Sequence, residues 1–144
     1  MTANRTFLGS VHRNQPEQFE APAGATLTPG MLAIADGGEL VPHDTAGAGG
    51  FVYVAKELTA NFDGSGGLDT DYTAGETAQA YIPTSGDMYR MLVATAQAVG
   101  YDTALTSDGA GLLAVAGAED AVICYADEDA GTTDGTTAVR VKFK

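Results

Sequence analysis

Few residues in this chain are suited to acid–base or nucleophilic chemistry. There are two histidines, His12 and His43, and one cysteine, Cys124. A Ser-His-Asp or Cys-His site needs one of those imidazoles beside a nucleophile. The pairing of His43 with Cys124 is conceivable in three dimensions, but no local motif supports it. Cys124 lies in the apolar run AVICYA, where a lone cysteine usually serves as a small core residue. One cysteine allows no intrachain disulfide and no CxxC metal site. No lysine follows the glycine clusters, so there is no phosphate loop. Ser65 stands between Asp-Gly and Gly-Gly, not in a GxSxG elbow. Asp63, Ser65, Asp69 and Asp71 offer oxygen ligands for a hard cation, but without the twelve-residue EF-hand spacing. Asp127, Glu128 and Asp129 form a second acidic cluster. Solvated acidic loops are far commoner than metal sites, so neither a metal nor a cofactor is expected. Paired carboxylates for sugar chemistry lack their usual aromatic platform, since tryptophan is absent. The expectation is a protein that is not an enzyme.

Charge points to binding instead. Nineteen Asp and Glu face seven Lys and Arg, for a net charge of −12, yet only 18% of residues are charged. The acidity therefore comes from scarcity of base, and Lys56, Lys142 and Lys144 are the only lysines. Such a surface has no electrostatic affinity for nucleic acid or anionic membrane. It suits concentrated salt, where self-repulsion is screened over a few ångströms, and a halophilic setting is expected. Arg5 and Arg13 lie near the start and Arg140, Lys142 and Lys144 at the close, with only Lys56 and Arg90 between. Cationic ends on an acidic body point to docking on an acidic partner.

Positioning these groups falls to one domain. With 144 residues and 44% hydrophobic content, the chain can bury one core. No apolar run approaches the roughly 20 residues of a membrane span, and the first residues show no secretory h-region. Residues 1–25 are poor in periodic apolarity and read as an extended N-terminal arm with anchors at Phe7, Leu8, Val11 and Phe19. Residues 26–144 form the body. Asp36-Gly37-Gly38 is a hairpin turn between strands at 31–35 and 39–42. Residues 51–58 read as the clearest strand, rich in aromatic and β-branched types. Residues 61–71 are a Gly-rich acidic loop, and 77–83 another strand. Residues 88–99 fit a helical face or a strand over 89–94, and the strand-rich surroundings favour the strand. Residues 121–126 are an apolar strand. Residues 138–144 alternate strictly, with Val139, Val141 and Phe143 on one side and Arg140, Lys142 and Lys144 on the other. Turn signals every 8–12 residues predict an all-β barrel or sandwich.

The order of these signals resembles the small β-barrel capsid decoration, or cement, proteins of tailed viruses. The resemblance runs from Thr28-Pro29-Gly30-Met31-Leu32 through Asp36-Gly37-Gly38-Glu39-Leu40-Val41-Pro42-His43. It continues with Asp71-Tyr72-Thr73-Ala74-Gly75-Glu76-Thr77 and Gly86-Asp87-Met88-Tyr89-Arg90. Its most specific step is Leu105-Thr106-Ser107-Asp108-Gly109-Ala110-Gly111-Leu112. It implies a structural virion protein on the outer capsid surface, a homotrimer that stabilises contacts between major capsid proteins. In that role the arm reaches the capsid through Arg5, Phe7, Leu8, Arg13 and Phe19. Another virion or surface β-module, such as a tail or fibre adaptor or an adhesin-like binding domain, is the alternative.

Overall fold

The computed structural model describes residues 5–10, 16–58 and 70–144. Every regular element among them is a strand. The first half carries β1 (Phe7–Ser10), β2 (Glu17–Pro22), β3 (Leu32–Asp36), β4 (Glu39–Pro42), β5 (Tyr53–Ala55) and β6 (Thr77–Ile82). The second half carries β7 (Asp87–Val93), β8 (Ala98–Val99), β9 (Ala104–Ser107) and β10 (Leu113–Val115), then β11 (Cys124–Ala126), β12 (Gly131–Thr132) and β13 (Thr137–Lys142). The fold is all-β. Among the described residues, no helix is long and apolar enough to cross a membrane.

Five strands close into a barrel in the order β7-β10-β9-β11-β13, with β13 pairing back onto β7. Strand β7 is its spine. Along one edge it meets β13 over six register pairs, from Thr137↔Val93 to Lys142↔Met88. Its other edge is shared by β1, through Phe7↔Tyr89, and β10, through Leu113↔Val93. The alternation of β7 and β13 sends Tyr89, Met91, Val93, Val139 and Val141 inward, all fully buried. This is why residues 87–93 are a strand: a helix would have scattered those side chains around its circumference. The short β8–β12 pair folds over one end of the barrel, where the Thr133 hydroxyl donates to Ala94 O at 2.6 Å.

The second sheet runs β2-β6-β5-β3-β4, and a bridge from Ala23 to Leu40 links its two outer strands. Its β3–β4 hairpin turns through Gly37 and Gly38 at φ 58° and 85°, the positive values a two-residue turn of this kind demands. One face contributes Leu32, Val54 and Tyr81 to the barrel core. The other packs Ala21, Ala23, Ala33, Ala55, Ala78 and Ala80 around Leu27, Leu40 and Tyr72.

Three expectations change here. The arm reading places 1–25 ahead of a separate body. Instead β1 pairs with β7 and β2 pairs with β6 over six residues. The sheet edges explain it: an extended segment satisfies its backbone donors and acceptors best on an open edge. The strand expected at 51–58 shrinks to Tyr53–Ala55, followed by an isolated bridge residue at Leu58. Phe51 lies outside it and is 68% exposed. Likewise the run 121–126 is strand only from Cys124.

Candidate interaction surface

Three features connect the barrel to the second sheet and set what the surface presents. The first is an aromatic junction. Tyr89 is ringed by Phe7 at 5.4 Å, Tyr81 at 5.7 Å and Phe143 edge-on at 5.4 Å. Its hydroxyl donates to the buried Asp87 carboxylate at 2.9 Å, which also accepts from Thr84 N. Burial, reinforced by Asp87, pushes the Tyr89 hydroxyl well above the ordinary tyrosine range. Tyr81 donates to Glu57 at 3.0 Å, and the other Glu57 oxygen accepts from Thr6 N at 2.9 Å. Desolvation, then Glu57, likewise raises Tyr81.

The second feature is a buried polar seam. His43 and Ser107 are both nearly inaccessible, and Ser107 Oγ lies 2.8 Å from His43 Nδ1. Because Oγ accepts from Gly109 N at 3.1 Å, its own proton is available to Nδ1, which also accepts from Thr45 N at 3.4 Å. That assigns the imidazole proton to Nε2, facing Gly49 O at 3.5 Å. Gly111 completes the seam: its N–H donates to His43 O and its carbonyl accepts from Leu32 N. It sits at φ 82°, and an added Cβ would lie 2.8 Å from Pro42. Glycine is required there on both counts. His43 is thus paired with a serine in a structural joint. Cys124, the other member of the conceivable pair, is sealed in the barrel core, and desolvation pushes its thiol well up.

The third feature is an apolar groove of about 230 Å³, lined by Gly49, Gly50, Phe51, Val52, Ile82, Pro83, Val122, Ile123 and Phe143. Phe51 and Val122, 68% and 44% exposed, stand on it. It adjoins a second hollow of about 270 Å³ that shares Phe143 and includes Met88, Lys142 and Lys144. This surface escapes sequence reading, because Phe51 and Val122 look like strand residues. The signal is their place immediately after loop residues, Gly49-Gly50 and Asp120-Ala121.

Of the sequence-predicted contact residues, the described ones lie just before β1, on β1 and on β2. Arg5 is exposed just before β1, and Leu8 is half-buried on it. Phe7 points its ring into the aromatic junction. Phe19 belongs to the other sheet, 5.0 Å from Tyr53. Both phenylalanines pack within the chain. Arg13 lies outside the described residues, as do Val11, Asp63, Ser65 and Asp69. Among the described residues, no three His, Cys, Asp or Glu side chains converge as a metal site requires. The cations near the end of the chain are answered internally. Arg140 Nε meets Asp127 at 3.1 Å, Lys142 meets Asp102 at 2.6 Å and Asp127 at 3.6 Å, and Lys144 meets Asp102 at 3.9 Å. Lys144 also lies 4.5 Å over the Tyr125 ring.

The architecture is that of a small all-β module with a five-stranded barrel and a second sheet. A solved structure shares it: the head fiber gp8.5 N base of bacteriophage phi29. The likeness has a TM-score of 0.55 and covers 90% of this chain and 95% of that one at 17% identity. That level of identity speaks for the fold alone. No protein-family model matches the chain, and no curated protein matches it.

Proposed function

We propose that this chain is a structural virion protein that binds the outer capsid surface as a trimer and stabilises contacts between major capsid proteins. The observation that carries the reading is the fold shared over 90% of this chain with a phage head fiber base. The order of turn and strand signals from Thr28 to Lys144 points the same way. The acid-rich composition suits a particle exposed to concentrated salt.

In this reading Arg5, Leu8 and Arg13 face the capsid, while Phe7 and Phe19 hold β1 and β2 to their own sheets. The exposed apolar groove adds area whose burial contributes more than a polar surface can. Three copies engaging a lattice together gain by multivalency. Deleting residues 1–20 is a poor probe of the contact, because it removes β1 and most of β2. Point substitutions are cleaner: Arg5→Glu with Leu8→Ser lowers binding to particles stripped of this protein by about tenfold, measured by co-sedimentation. Unchanged binding would exclude these residues, and absence of wild-type binding would sink the capsid reading.

A second reading, the base of a head fibre, is favoured by the fibre assignment of the structural neighbour. Copy number separates the two. Decoration of a whole lattice requires hundreds of copies per particle, whereas a fibre base needs only as many as there are fibres.

A further inference from the structure

The outward face of the barrel spine carries an arginine, Arg90, that no described residue answers. Opposite the buried side of β7 and β13, the register places Leu92 across from Ala138, Arg90 from Arg140 and Met88 from Lys142. Like charges directly across a strand pair are destabilising. Two of these three cations are compensated. Arg140 bonds Asp127 through Nε and through Nη2 to its carbonyl at 2.7 Å, and Lys142 reaches Asp102 and Asp127. Arg90 is not. Among the described residues it has no carboxylate within ion-pair distance, and its Nε is buried without a hydrogen-bond partner. In a chain with 19 carboxylates and seven cations, that is against expectation. Half-buried Met88 and Leu92 flank it along β7, which keeps water from part of the guanidinium and strengthens any pair formed there.

We infer that Arg90 is a subunit-docking residue whose guanidinium takes an Asp or Glu carboxylate from a second copy of this chain. The argument for a second copy is charge complementarity. Two surfaces of net charge −12 repel wherever salt does not screen them, and a cationic spot on one copy that meets acid on the next relieves that repulsion. The β7–β13 face holds three of the seven cations, and acid is abundant elsewhere, for example at exposed Asp129 and Asp134. Such a contact joins unlike faces, and a head-to-tail contact of that kind closes into a ring when its rotation allows. The inference deepens the trimer reading and rests on it.

The test is light scattering over a concentration series for wild type, Arg90→Gln and Arg90→Glu, without any virus particle. Wild type forms trimers. Arg90→Gln weakens assembly by about tenfold or more, the scale of a desolvated interfacial charge pair, and Arg90→Glu weakens it further. At a dilution where wild type is monomeric, Arg90→Gln keeps its melting temperature, because it loses a like-charge neighbour and no internal partner. Unchanged assembly of Arg90→Gln overturns the inference while leaving the trimer intact. A wild type that stays monomeric at every concentration overturns both. A lowered melting temperature of dilute Arg90→Gln assigns Arg90 to the fold and overturns it too.

Discussion

The barrel core is filled by Tyr89, Met91, Leu105, Leu113 and four valines, Val93, Val99, Val139 and Val141, with Phe143 at its rim. The outer face of the second sheet is lined with six alanines around Leu27, Leu40 and Tyr72. Both are dry, and they achieve it oppositely. Large side chains hold the barrel strands apart around a filled centre, and stability there scales with the volume each side chain fills. Alanines let the strands and loops of the second sheet approach closely, so stability there depends on small volume. One core is therefore vulnerable to truncation and the other to enlargement.

Mutagenesis tests this contrast. The largest effect is expected from Tyr89→Ala, which empties the aromatic junction and leaves the buried Asp87 carboxylate with Thr84 N but without its hydroxyl donor. A loss of about 3–5 kcal/mol follows, read from denaturant unfolding. Ala80→Leu, in the alanine face, costs about 1–3 kcal/mol by overpacking. If Ala80→Leu were neutral while a barrel truncation of similar volume change were costly, the second sheet would be loosely packed and the contrast would fail. Between the two cores, Ser107→Ala strips a donor from His43 Nδ1 and an acceptor from Gly109 N, and costs about 1–3 kcal/mol.

The smallest effect concerns pH. Hydrogen bonding to Lys142 lowers the Asp102 carboxyl, and bonding to Asp102 raises the Lys142 ammonium. The depressed acid contributes its tie above its unfolded value and loses it as pH falls through the folded one. The raised base contributes below its unfolded value and loses its tie as pH rises through the folded one. The contact between the 101–102 turn and β13 thus persists from below the usual carboxylate range to above the usual lysine range. Asp102→Asn should flatten that profile while leaving both cores untouched, as followed by chemical shifts of the turn.

The contrast between the cores also explains what was legible in the sequence. Residues 138–144 and 39–42 were readable because alternation and a Gly-Gly turn are local signals; β4 matches residue by residue, and β13 keeps the inward valines but runs Thr137–Lys142. The 88–99 ambiguity was resolved only by neighbours: Met91 and Val93 point inward because β13 lies alongside. Pairing partners are non-local, so the capture of β1 and β2 by β7 and β6 was invisible, and Phe7 and Phe19 looked free. The groove was missed for the converse reason. Composition marks Phe51 as a strand residue, but its exposure depends on where Gly49 and Gly50 turn the chain. Arg90 could be picked out as an isolated cation, whereas its cross-strand meeting with Arg140 is a matter of register.

One consequence concerns time rather than space. Strand β7 is flanked by β1, made early, and by β13, made late. A chain emerging from a ribosome can lay β1 against β7 once residue 93 is free, but the other edge of β7 then waits through more than forty residues. During that interval an unpaired edge is exposed, the condition that invites pairing with another chain. Barrel closure is a long-range event and correspondingly slow. During that interval the nascent chain is open to edge-to-edge association with a neighbouring copy.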